Sequence, residues 1–392
     1  MASDDGGVVG TYDHVTPLTH NGELPRCLSS LKAQGLGTPV IILVSAPKEV
    51  AEQASAKIHR LAAPFAADFP IQVIDAQTTS QLQGRMRELG FTQMLEGVTL
   101  RGYGAIRNVG LLVAALRGFT ELVFIDDDEI VTTPGFLDDA LYGLGKLSPK
   151  GVPILVKSGY FTAEHGGWKS SQKKSWYNRF WTQGELFNKW MSKAMSSARL
   201  SLSNVLNGGC MAIHREAFKR IAFDAWISRG EDLDYLLNVL MYGGRVWFDN
   251  SWSLRHAPPT VRTEGQRFRQ DIFRWAYEHR KLEFSRSQID LLQIQPHALD
   301  PYPGSFLERS VNTRAFATAL LRTLGRPRDR QGYLKAAIAA TREAQDYAVA
   351  NCSRYFDFQR CWPKMMADLE TDPLSEQIVR AGMVEAIDPE DY

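Results

Sequence analysis

Leu122-Val-Phe-Ile-Asp-Asp-Asp-Glu129 joins a run of four apolar residues to four consecutive acids. The apolar run reads as a buried strand. Four acids at its end repel one another, and any that lose water must be neutralised by a raised pKa or paired with a cation. Carboxylate oxygens suit hard ions such as Mg2+ and Mn2+. A solvated turn that caps the next helix accounts for the same residues, because acids favour turns and helix N-termini.

Upstream, strand-like and helix-like segments alternate. Val8 to Tyr12 reads as a short strand, and Leu24, Cys27, Leu28 and Leu31 recur at helical spacing. Val40-Ile-Ile-Leu-Val-Ser45 is a buried strand, Glu49 to Leu61 a helix and Ile71-Gln-Val-Ile-Asp75 a third strand. Ile106 to Arg117 follows as a helix with Val109, Leu112, Val113 and Leu116 on one face, ahead of the strand Leu122 to Ile125. This alternation is the signature of a parallel, doubly wound sheet, in which ligands bind at the carboxyl ends of the strands. The acids therefore stand where such folds place chemistry.

Composition narrows the class. The chain has 392 residues, 44% hydrophobic and 23% charged, enough for a full core and two structural units. Lys+Arg 45 against Asp+Glu 44 offers no footprint for non-specific nucleic-acid binding. Cys27, Cys210, Cys352 and Cys361 are widely spaced, without a zinc pattern or a disulfide framework, and point to a reducing compartment. The N-terminus lacks a signal-peptide pattern and no apolar run reaches the roughly 18 residues of a spanning helix, so the expectation is a cytoplasmic protein. Asn351-Cys-Ser353 then matches a glycosylation sequon by chance.

Downstream, Val152 to Ser158 reads as a strand. His165-Gly-Gly-Trp168 and Trp176-Tyr-Asn-Arg-Phe-Trp181, with Trp190 beyond, lack strand alternation. Aromatic faces there serve either a sugar ring or a core, and the His165 loop has the make-up of a lid. Gly208-Gly209 enters a strand, where paired glycines allow a ligand or another backbone to approach. Arg229-Gly-Glu-Asp-Leu-Asp234 opens a helix with Glu231, Asp232 and Asp234 in its first turn, a pattern that helix-dipole capping also explains. A late strand, Gly243 to Asp249, leads to His256.

The ordered set of Asp triplet, Gly-Gly strand, Gly-Glu-Asp helix start and late His resembles the GT-A-type glycosyltransferases, most like the broad family 2 group. Gly104-Ala-Ile-Arg107-Asn108 resembles the segment that precedes their aspartate motif, and the likeness spans roughly residues 8 to 260. The resemblance implies a Rossmann-like GT-A fold with a doubly wound mixed sheet. It also implies transfer of a sugar from a nucleoside-diphosphate sugar to a hydroxyl acceptor with Mn2+ or Mg2+. Asp126 and Asp128 match the aspartate motif, with Asp127 between them, and His256 matches the residue that completes the metal shell. Asp128 and His256 would ligate the ion, while Asp126 would reach it through water or contact the donor ribose. Asp232 matches the general base of inverting members, with Glu231 as its neighbour. Retaining GT-A enzymes that act on small acceptors such as glycerate share the Gly-Gly and His elements, which leaves Asp234 as another candidate.

One departure concerns the donor base. Where many family 2 chains carry Asp after the second strand, this chain has Val44-Ser45-Ala46-Pro47, which leaves Asp75 as a substitute base or ribose contact or simply a turn former. Arg107, Asn108, Gly208 and Gly209 complete the expected donor site, and Arg262, Arg267 and Arg269 are candidates to fold over phosphates or stay solvated. The catalytic domain is expected over residues 1–286, with a donor and metal half about 8–130 and an acceptor half about 150–260. A mainly helical region is expected over 287–392, with helices at Asn312 to Leu324 and Tyr333 to Ala350. That region could line the acceptor pocket or join a homodimer, and the lack of a strongly basic apolar-faced helix counts against a membrane surface. Asp126-x-Asp128 before Thr132-Thr133 also fits an aspartate-based phosphatase, and a non-catalytic sugar-binding protein is the binding-module alternative.

Overall fold

The computed structural model describes residues 15–35, 37–163, 166–170, 174–258 and 264–385. The expected strand at 8–12, His165 of the lid and Arg262 lie outside the described residues.

The N-terminal half follows the expected order with one helix added, α3, which none of the expected segments covers: α1 (Leu24–Lys32), β1 (Val40–Leu43), α2 (Ala51–Ala62), β2 (Ile71–Ile74), α3 (Ala76–Glu88), α4 (Tyr103–Leu116) and β3 (Glu121–Phe124). Then come β4 (Glu129–Ile130), α5 (Phe136–Leu141), β5 (Val156–Thr162), α6 (Gln183–Met195), β6 (Leu200–Leu202), β7 (Met211–His214), α7 (Arg215–Phe218), α8 (Glu231–Met241) and β8 (Val246–His256). Five helices close the chain: α9 (Glu264–Ser285), α10 (Val311–Gly325), α11 (Arg330–Ile338), α12 (Ala344–Glu370) and α13 (Pro373–Arg380). A single π-helical turn, Ala339–Glu343, joins α11 to α12.

The sheet differs from a single doubly wound one. β1 and β2 pair in parallel, from Val40 opposite Ile71 to Leu43 opposite Ile74. A second, six-stranded mixed sheet runs β3-β7-β5-β8-β4, with β6 added on β8. In it β3 and β7 are antiparallel and β5 and β8 parallel. Among the described residues no ladder joins the two sheets. Side-chain packing joins them instead, because Leu43 of β1 and Phe124 of β3 both reach Gly110 on α4. β5 starts at Val156 rather than Val152, consistent with Pro153, which has no N–H to give a ladder.

Helix α4 is buried nearly all round. Beyond the expected face it also hides Leu111, Ala114 and Ala115, since α12 and α13 cover the side that a surface helix would leave wet. Gly104 in its first turn lies so close to the Asp224 backbone that a Cβ would sit 1.9 Å from the Asp224 carbonyl oxygen. One hydrophobic core contains residues from both sides of position 286, from Ile74 and Val109 to Phe356 and Trp362. The C-terminal helices are pinned to it by specific bonds. Gln359 of α12 accepts the Ala222 N–H at 2.7 Å, and the Trp362 indole donates to the Phe218 carbonyl at 2.9 Å.

Much of the aromatic segment is core. Trp181 meets Phe268 and Phe306 edge-on, both at 5.0 Å between centroids, and Trp190 meets Phe248 at 5.4 Å. Trp176, by contrast, is exposed. No described helix is long and apolar enough to cross a membrane.

Candidate functional site

The acids after β3 are sorted by what the fold places around them. The turn from Asp126 to Asp128 leads directly into β4, where Glu129 is opposite His256 and Ile130 opposite Arg255 of β8. This short ladder brings the late His to the aspartates. His256 Nε2 lies 3.3 Å from Asp128 Oδ2, with the carboxylate buried and the imidazole partly open. The Ala257 N–H also donates to the Asp128 carbonyl at 3.0 Å, which fixes the two segments together.

Glu129 is internal. It is 1% exposed, and its Oε2 accepts the Asp126 N–H at 2.9 Å, so this fourth acid closes the turn rather than facing a ligand. Burial first, and the charge of Asp126 next, push its carboxyl well above the usual range. Gly209 makes room for it, since a Cβ there would stand 2.1 Å from Glu129 Oε1. Gly209→Ala should therefore cost about 1–3 kcal/mol by overpacking and disturb the turn, read as a lower denaturant midpoint.

Arg107 couples the two acidic motifs. Its guanidinium is 9% exposed, donates to Asp126 Oδ1 at 2.8 Å, and lies 3.5 Å from Glu231 Oε1. Burial opposes its charge, but Asp126 and Glu231 outweigh this and hold it firmly protonated. Glu231 is pushed up to about 7 by burial and then by Asp232, with Arg107 opposing. Asp232, partly exposed, accepts the Gly208 N–H on Oδ2 at 3.1 Å and the Leu233 N–H on Oδ1 at 2.7 Å. Asp232 lines a cavity of about 90 Å³ together with Asn207, Phe187, Arg274 and Tyr302. About 15 Å³ suffices for one water, so the space suits a small polar group.

Several expected residues are placed elsewhere. Asp234 is fully buried, 2.8 Å from Lys281 Nζ and bonded by Asn238, with no path to the cavity group. Asn108 is also fully buried and clamps backbone: its amide donates to the Gly97 and Phe223 carbonyls and accepts the Phe223 N–H. Both give up a ligand contact for the same reason, a buried polar group must be satisfied where it sits. Asp75 caps α3, taking the Thr78 N–H on Oδ1 and the Ser55 hydroxyl on Oδ2. Asp127 is exposed and Arg267 likewise, while Arg269 pairs with Glu343 at 3.0 Å.

Arg274 was not singled out in the sequence, yet it is the cation at the cavity. It is 7% exposed, its Nε donates to Glu278 Oε1 at 3.2 Å, and it packs over Trp275. Glu278 is pushed up to about 8 by burial, against the pull of Arg274. Burial opposes the guanidinium charge, but the charges of Glu278, Asp232 and Asp271 hold it firmly protonated. The available signal was its position seven residues after Arg267, two helical turns on and so on the same face.

The fit to a divalent ion rests on Asp128 and His256. Neighbouring ligands of an octahedral ion at about 2.1 Å stand about 3.0 Å apart, close to the separation seen. Asp126 is turned to Arg107, and among the described residues no group of three His, Cys, Asp or Glu is arranged to hold a metal. The pair would leave most coordination positions to substrate oxygens and water, the usual arrangement for Mg2+ at phosphates.

No protein-family model matches the chain, and no curated protein matches it at a significant level. Among solved structures it is similar to the mannosyltransferase PcManGT from Pyrobaculum calidifontis in complex with GDP-Man and Mn2+. The identity is 17% and the TM-score 0.33, over 88% of this chain and 86% of that chain.

Proposed function

We propose that this chain is a metal-dependent glycosyltransferase of GT-A type that moves a sugar from a nucleoside-diphosphate sugar to a hydroxyl acceptor with inversion. The observation that carries the reading is a juxtaposition. Asp232 stands at a small polar cavity, while Arg107 ties its neighbour Glu231 to Asp126, two residues before the Asp128–His256 pair.

The residues then divide the work. Asp128 and His256 would hold Mn2+ or Mg2+, whose Lewis acidity at the diphosphate stabilises the leaving group. Asp126, with one oxygen bonded by Arg107 and the side chain 47% exposed, is available to the donor ribose. Asp232 takes the proton of the acceptor hydroxyl. The oxygen so freed bonds to the anomeric carbon as the bond from that carbon to the diphosphate breaks, and the electron pair leaves with the diphosphate. The Gly208 and Leu233 amides keep the Asp232 carboxylate oriented, and each of its oxygens retains a lone pair for the incoming proton. Arg274, beside Asp232, places positive charge where a reacting oxygen gains negative charge.

Calorimetric titration of UDP and GDP and their sugars, with Mn2+ or Mg2+ and then with chelator, tests the reading. Binding should require the metal, and Asp128→Ala should weaken it at least about 100-fold, the loss of one charged ligand contact of roughly 3 kcal/mol. No binding of any nucleoside diphosphate with either metal would defeat the proposal.

A further inference from the structure

Helices α10 and α11 show solvent an apolar face that the sequence reading did not foresee. Phe316, Leu320 and Leu324 are exposed at four-residue spacing along α10, and Leu334 and Ile338 at the same spacing along α11. Leu324 is 69% exposed and Ile338 54%. The opposite faces, Ala315 and Ala319 on α10 and Tyr333, Ala336 and Ala337 on α11, are buried. Both helices pack on α9 and on each other.

The charge around this face is net positive. From Glu308 to Asp346 the chain carries eight Lys or Arg against four acids, although the whole protein is only +1. Glu343 and Asp346 pair with Arg269 and Arg342, Arg326 pairs with Glu264, and the acid inside the segment is Asp329. That acid turns inward and accepts the Gly265 N–H at 2.5 Å. Arg309, Arg328, Arg330 and Lys335 are exposed and make no ion pair among the described residues. Trp176, 58% exposed, extends the patch, because its 3-10 turn Trp176–Asn178 is bonded to α10 through Arg322 Nε and Asn178 Oδ1 at 2.9 Å. Phe180 follows, capped by Arg179 at 4.6 Å.

We infer that this face docks the protein on the surface of an anionic lipid bilayer. Exposed apolar stripes flanked by cations are the make-up of helices that lie in the headgroup boundary, and tryptophan favours that depth. A bilayer of acidic lipids supplies the opposite charge at about fivefold in affinity per basic residue. A second copy of the chain fits poorly, because a two-fold contact would set this cationic face against itself. The inference is independent of the transfer reaction.

Sedimentation of the full chain with vesicles of phosphatidylcholine, with and without phosphatidylglycerol, tests it. The protein should partition onto the anionic vesicles alone, and added salt should release it. Leu324→Ser with Ile338→Ser should weaken partition about 100-fold, and charge reversal by Arg328→Glu, Arg330→Glu and Lys335→Glu by at least as much. All five residues are exposed, so circular dichroism melts should be unchanged. The inference is overturned by failure to bind anionic vesicles, by equal binding to neutral ones, or by a wild-type dimer in sedimentation velocity that Leu324→Ser with Ile338→Ser dissociates. Retention on an acidic protein surface without vesicle binding would overturn it as well.

Discussion

Asp232→Asn is expected to lower sugar transfer about 100- to 10,000-fold, the range that a positioned general base supplies, while leaving metal-dependent donor binding intact. The change is nearly isosteric. The amide oxygen can still accept either the Gly208 or the Leu233 N–H, while the new NH2 meets the other N–H donor. One hydrogen bond is therefore lost, and a stability cost of about 1 kcal/mol should accompany the loss of transfer. What disappears is the basic oxygen at the cavity. Donor calorimetry and single-turnover transfer, measured on the same preparation, separate the two outcomes. Equal loss of donor binding and transfer would assign Asp232 to the donor instead. Asp234→Asn is the informative control, because Asp234 is enclosed with Lys281 and does not line the cavity. It should change stability without removing metal-dependent donor binding.

Lys281→Met is expected to destabilise the protein by about 3–5 kcal/mol, the cost of leaving buried charge without its partner. Lys281 Nζ lies 2.7 Å from Asp224 Oδ2 and 2.8 Å from both Asp234 oxygens, over the Tyr355 ring, and all three charged side chains are fully buried. Tyr277 donates to Asp224, and Asn238 to Asp234. Burial raises the Asp234 carboxyl to about 6 even with Lys281 pulling it down. With the lysine gone, one or both acids must take up a proton or remain unpaired. The network ties the loop before α8 to α8, α9 and α12, so its loss should loosen the helices that frame Asp232. A denaturant midpoint that moves by less than the equivalent of about 1 kcal/mol would show that water or rearrangement compensates.

Local pattern sufficed for the elements that repeat. The helical spacing of Leu24 to Leu31 and the apolar runs at residues 40, 71 and 122 correspond to α1, β1, β2 and β3 within a few residues. The acids of 126–129 were legible as a strand-end cluster, but not which of them faces solvent. Glu129 and Asp128 became buried because β4 pairs with β8, a contact more than a hundred residues away in sequence. Asn108 and Asp234 looked like site residues, since a polar side chain beside a motif reads the same whether it meets a ligand or a buried backbone. Arg274 was missed for the opposite reason, as nothing near it in sequence marks a cavity.

The sequence alone determined the alternating α/β order, the acid cluster at the end of a strand and the helices after residue 286, because each is written in residues that are neighbours along the chain. Tertiary structure decided the rest. It divided the strands between a parallel pair and a six-stranded mixed sheet, joined Arg107 to both acidic motifs, placed His256 on Asp128 and gave α12 the far side of α4 to cover. These outcomes depend on which buried polar groups find partners and which apolar faces find cover, and both are settled only when distant segments meet.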